Sequence, residues 1–127
     1  MTFKGSSMTK GQVESKISEV ISKFEIEQMG RGPEKIRTII LQDMIVIRLK
    51  GFLSMSEKNL SRNKEGVELI KKVRTSLFEN AREEFEETIK SVIDVNIIST
   101  YSDVSTKTGE KIIAIILDQN IEEFFIK

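Results

Sequence analysis

The sequence predicts an α+β fold in the order α-β-β-α-β-β, a four-stranded, mainly antiparallel sheet with both helices packed on one face. Three observations predict it. Two long segments, 10–29 and 65–93, carry apolar residues at helical spacing. Each is followed by two strand-length runs rich in Ile and Val, 35–41 with 44–50 and 95–101 with 111–117. The chain has 127 residues, the length of about one domain.

The first helix places Val13, Ile17, Val20, Ile21 and Phe24 on a single stripe, with Glu14, Lys16, Glu19 and Lys23 facing water. Gly30 stops it, and Gly30-Arg31-Gly32-Pro33 forms a compact turn. The strands 35–41 and 44–50 are joined by Gln42-Asp43, a weaker hairpin signal than Asn-Gly. Ser54-Met55-Ser56-Glu57 fits a capping box and opens a short helical turn to about Arg62.

The long helix follows, with Val67, Ile70, Val73, Leu77, Ala81, Phe85, Ile89 and Val92 as its stripe. It would be about 43 Å long. A monomer of this size has a radius of gyration near ~14 Å, so the helix needs a partner or a bend. The last two strands enclose a polar loop from Asp103 to Glu110.

Several strands are apolar on both faces. Ile45, Ile47 and Leu49 oppose Met44 and Val46, and Ile113, Ile115 and Leu117 oppose Ile112, Ala114 and Ile116. Two helices cover only one face of a sheet. The second face is expected to be closed by the C-terminal tail (119–127, with Ile121, Phe124, Phe125 and Ile126), by a second subunit, or by both. A homodimer is the expected assembly. Residues 1–7 read as a disordered leader and 8–118 as the domain.

Composition excludes much. Without Cys there is no disulfide framework, zinc knuckle or thiol nucleophile, and without His the commonest general base and metal ligand are missing. Twenty basic residues balance twenty acidic ones, which argues against a nucleic-acid binder. Positions 1–63 carry 11 basic and 7 acidic residues, and positions 64–127 carry 9 and 13. No stretch approaches the roughly 18 apolar residues of a membrane span, and no secretory signal is visible. The expectation is a cytoplasmic, non-enzymatic protein with no cofactor, no metal and no direct membrane insertion.

Two segments could bind a ligand. Arg31, Gly32 and Arg37 offer backbone N–H groups and guanidinium groups to an anion, although a helix stop and turn accounts for the same residues. Asp103, Ser105, Thr106 and Gly109 offer hydroxyls, a carboxylate and a flexible backbone, although a hairpin loop uses such residues to satisfy itself. If the two segments meet, they form one site for an anion or phosphorylated metabolite. The acidic run Glu79, Glu83, Glu84, Glu86 and Glu87 reads as a solvated helix face.

The run Met8-Thr9-Lys10-Gly11 before a helix, Gly30-Arg31-Gly32-Pro33 with Arg37, Met44 to Gly51 with Glu57 downstream, and Ser102-Asp103-Val104-Ser105-Thr106 with Thr108-Gly109-Glu110 together resemble the MpsC-like family. The resemblance covers roughly residues 8–118. These are small bacterial proteins, mainly of Gram-positive bacteria and cyanobacteria. They are named from a sodium-translocating, membrane-potential-generating system whose membrane subunits do the transport. The resemblance implies an accessory or regulatory protein of a membrane ion system, for sodium or inorganic carbon. It implies no catalytic residues.

Overall fold

The computed structural model describes residues 8–125. The expected leader and residues 126–127 lie outside them. The elements are α1 (Lys10–Met29), β1 (Lys35–Leu41), β2 (Met44–Lys50), α2 (Met55–Leu60), α3 (Lys64–Asn80), α4 (Arg82–Lys90), β3 (Ile97–Ser105), β4 (Glu110–Leu117) and a closing 3-10 turn, Glu122–Phe125.

Helix α1 begins at a capping box. The Thr9 hydroxyl accepts from the Gln12 N–H, and the Gln12 side chain accepts from the Thr9 N–H. It ends at Gly30, whose φ of 83° is left-handed, a conformation glycine adopts without a Cβ penalty. The capping box at Ser54 and Glu57 forms as the sequence predicts and opens α2.

The sheet has the order β1-β2-β4-β3, antiparallel throughout. Two hairpins therefore join along β2 and β4, with Ile45 opposite Ile115 and Ile47 opposite Ile113. The helices cover one face. Val13, Ile17 and Ile21 of α1 and Phe85 and Ile89 of α4 bury with Ile40, Ile45, Ile47, Ile113 and Ile115 in one core. Phe85 packs edge-on against Phe24 and tilted against Phe78. A smaller cluster of Phe52, Leu53, Ile70 and Val104 sits under the first half of α3.

Three details differ from the sequence reading. The long helix is not continuous. It breaks at Ala81, whose φ and ψ of −103° and 7° leave the helical region, so two shorter helices stand where one about 43 Å long was expected. The buried stripe of α3 is Gly66, Ile70, Arg74 and Phe78, while Val73 and Leu77 are exposed together with Leu69. Arg74 takes the core position because its guanidinium is matched there, so the apolar pattern points one position away from the true face. Strand β3 also runs on to Ser105, which leaves a loop of only Thr106 to Gly109.

The tail does not cross the open face of the sheet. Ile121 is fully buried in the helix-side core, with Phe124 and Phe125 packed against it. It meets the β1–β2 turn, where the Ile121 N–H donates to the Gln42 carbonyl and the Gln42 N–H donates to the Glu122 carboxylate. Lys10 of α1 completes the knot by pairing with Glu122. These bonds explain how Gln42 keeps a φ of 58°, unusual outside glycine, and how a weak turn sequence still makes a tight hairpin.

Candidate functional site

The uncovered face of the sheet can be laid out from its register as four rows. The first row is Leu41, Met44, Ile116 and Ser99, and the second is Ile39, Val46, Ala114 and Tyr101. The third is Arg37, Arg48, Ile112 and Asp103, and the fourth is Lys35, Lys50, Glu110 and Ser105. Half of this face is therefore apolar, and the other half changes from basic on β1 and β2 to acidic on β4 and β3. The apolar half is open to water: Leu41 is 49% exposed, Ile39 40% and Tyr101 63%. Exposed apolar surface of this extent is characteristic of interaction sites.

The basic side places like charges directly opposite one another, Arg37 against Arg48 and Lys35 against Lys50. Such cross-strand pairs are unfavourable unless something of opposite charge joins them. Arg48 has that relief in Glu110, at 2.8 Å. Among the described residues, Lys35, Arg37 and Lys50 have no ion-pair partner. Lys35, Ile36, Arg37, Arg48 and Lys50 line an open groove of about 380 Å³.

The ligand-binding candidates fall into three groups. Asp103, Ser105 and Thr106 share an open groove of about 330 Å³ with Lys71, Glu110 and Ile112. Asp103 stands 3.5 Å from Lys71 of α3 and also accepts from the Val104 N–H. Arg37 lies in the same row as Asp103 but three strands away, roughly 14 Å. The Arg48–Glu110 pair stands between them, since Arg48 lines one groove and Glu110 the other.

Arg31 points elsewhere. Its guanidinium donates to the Leu53 carbonyl at 3.0 Å and to the Gly51 carbonyl at 3.1 Å. The Gly51 N–H in turn donates to the Gly109 carbonyl. The first turn and the last loop are thus joined, through backbone rather than around a common cavity. Gly32 lies against Ile26 of α1, close enough that a Cβ there would crowd it at 3.1 Å.

A second group of charges escapes sequence inspection. Lys111 reaches from β4 into the core, 3.2 Å from Glu25 of α1, with both side chains almost wholly buried. Arg74 donates two hydrogen bonds to Glu57, at 2.6 and 2.9 Å, and stacks over Phe52. Burial pushes the Glu57 carboxyl up, but the Arg74 hydrogen bond and the Ser54 N–H outweigh it and hold its pKa below the ordinary value. Lys111, Arg74, Lys71 and Asp103 border a cleft of only about 40 Å³, room for water and not for a metabolite. Every buried side-chain nitrogen and oxygen among the described residues has a hydrogen-bond partner. The first pair ties α1 to the sheet, and the second ties α3 to α2. The missed signal for Lys111 is its register, since it alternates with Ile113, Ile115 and Leu117 on the core side.

The fold and this surface define a two-layer α+β protein whose distinctive feature is a bare sheet face rather than a deep pocket. The chain belongs to the MpsC family, described as the Na⁺-translocating membrane potential-generating system, and matches it over residues 9–119. It is similar to the uncharacterized protein YbcI of Bacillus subtilis, with 35% identity over 115 residues, 91% of this chain and 93% of that one. It is also similar to the uncharacterized protein YrhF of the same organism, with 29% identity over 107 residues, 84% of this chain and 88% of that one. No solved structure matches the chain. No helix among the described residues is long and apolar enough to cross a membrane.

Proposed function

We propose that this chain is a non-catalytic accessory protein of a membrane ion-translocating system, for sodium or inorganic carbon, and that it acts in the cytoplasm as a homodimer. The observation that carries the reading is the open sheet face, apolar over half its area and charged over the rest. The description of the family supports the link to ion translocation. Dimerisation through the sheet leaves the helical layer facing outward, with the exposed stripe Leu69, Val73 and Leu77 along α3. That stripe offers a membrane subunit an apolar contact at i, i+4 and i+8.

The test is affinity purification of the tagged chain from its own host in mild detergent, with bound proteins identified by mass spectrometry. An ion-translocating membrane protein is expected to co-purify, and a Leu69→Glu, Val73→Glu double variant is expected to lose it. Recovery of the chain alone would count against the accessory role.

A second reading is favoured by the opposed cations of β1 and β2, which suit a small anion or phosphorylated metabolite. Arg37 would hold it together with Lys35, Arg48 and Lys50 of the same groove, while Asp103, Ser105 and Thr106 line a separate groove and Arg31, Gly32 and Gly109 serve the turns. A ligand at 100 times its Kd stabilises by about 2.7 kcal/mol and raises Tm by several degrees. Thermal shift against phosphate-bearing metabolites is expected to show this, and Arg37→Ala to remove it. A flat response across the panel would eliminate this reading.

A further inference from the structure

We propose that the occupant of the open sheet face is a second copy of this chain, packed face to face about a twofold axis parallel to the strands. The arrangement rests on the dimeric reading above and assigns its partner surface residue by residue. Two sheets packed in aligned fashion and related by a twofold allow two simple axes. An axis across the strands lays the apolar rows of one copy on the charged rows of the other, burying unpaired charge. An axis along the strands keeps each row opposite itself and exchanges the sheet edges.

With that second axis, β1 lies over β3 of the second copy and β2 over its β4. The largely apolar rows then meet each other, Val46 over Ala114, Met44 over Ile116, Ile39 over Tyr101 and Leu41 over Ser99. Within the charged rows, two cations of each copy meet carboxylates of the other. Arg37 comes over Asp103 and Lys50 over Glu110, and each of these contacts occurs twice. Arg37 and Lys50, which lack a partner within one chain, thereby face carboxylates of the other, while Lys35 comes over Ser105 and Arg48 over Ile112. A sheet of four strands and seven residues measures roughly 20 by 23 Å. That footprint falls among the smaller specific interfaces.

Lateral growth of the sheet is the competing mode, and both edges oppose it. The outward Ile40 N–H of β1 already donates to Glu14 of α1 at 2.7 Å. The Thr100 carbonyl of β3 already accepts from Arg82 of α4 at 3.0 Å. Edges occupied in this way do not add a strand readily.

The experiment is light scattering coupled to size-exclusion chromatography on the full chain over a range of concentrations, with circular dichroism to confirm that each variant folds. The wild type is expected to be a dimer. Ile39→Glu and Tyr101→Glu change exposed side chains and are expected to give folded monomers. Arg37→Glu and Asp103→Arg are each expected to weaken the dimer about tenfold or more in Kd, and the double variant to regain most of it.

Each failure has its own meaning. A monomeric wild type overturns both this arrangement and the dimeric reading. A dimer that survives Ile39→Glu and Tyr101→Glu keeps the dimeric reading and overturns the face. Face variants that dissociate without rescue by the double charge exchange overturn the axis.

Discussion

Lys111 shows how far a single side chain can depart from its usual place. Lysine is almost never fully buried unless paired, and here the pair is Glu25, across 86 positions of sequence. Removing one member strands the other in the core, which costs about 3–5 kcal/mol. Lys111→Met is therefore expected to lower the unfolding free energy by about that amount in urea titrations, and Glu25→Leu combined with Lys111→Met to recover most of it. A double variant as unstable as the single one would mean that the pair is not the source of the loss.

Glu57 adds a pH dependence. Its folded pKa is depressed, so its contribution is present above its unfolded pKa and is lost as pH falls through the lower folded value. The unfolding free energy is expected to drop below about pH 4.5, and less steeply in Glu57→Gln. Neither buried pair was legible in the sequence. A charged residue in a periodic pattern reads as surface, and only a distant partner reverses that reading.

Elements were more legible than residues. The bounds of α1, β1 and β2 follow from apolar spacing, from Gly30 and from the run of Ile and Val, because these signals are local. The break at Ala81 was not legible, since neither proline nor glycine marks it. The phase of α3 was misleading because Arg74 occupies a core position. The junction of α2 and α3 turns on Gly66. A Cβ there would lie 1.7 Å from the Leu60 carbonyl oxygen, a backbone atom that cannot move without displacing α2. Gly66→Ala is expected to destabilise the fold by about 2 kcal/mol or more, beyond the usual range for a single substitution at a surface helix. Hydrogen exchange should place the loss at α2 and the start of α3. An unchanged Tm in this variant would show that the close approach is not maintained in solution.

At the scale of the molecule, the sequence revealed that the sheet had two apolar faces, but the expectation that the tail would close the open one is overturned. The tail follows the helix side because Ile121 and the β1–β2 turn need each other. The candidate ligand residues were named without their geometry, and the register separates Arg37 from Asp103 while bringing Asp103, Ser105 and Thr106 into one groove. The row of cations on β1 and β2 was hidden because its members come from two strands and meet only when paired.

The order β1-β2-β4-β3 has a further consequence during synthesis. Strand β2 takes its second neighbour from the far end of the chain, so it stays an edge until β4 leaves the ribosome. At about 5–20 residues per second, that wait lasts roughly 3 to 13 seconds. Throughout it the nascent chain displays a strand with Ile45 and Ile47 on one side and Met44 and Val46 on the other, a ready template for aggregation. Arg48 and Lys50 within that strand, and Lys35 and Arg37 on its neighbour, are the only charges on these two strands, and they repel a second nascent chain displaying the same set. Three of the four, Lys35, Arg37 and Lys50, are also the cations of these strands that have no ion-pair partner among the described residues of the finished protein, so the same charges that stand alone in the fold guard the chain before it is complete.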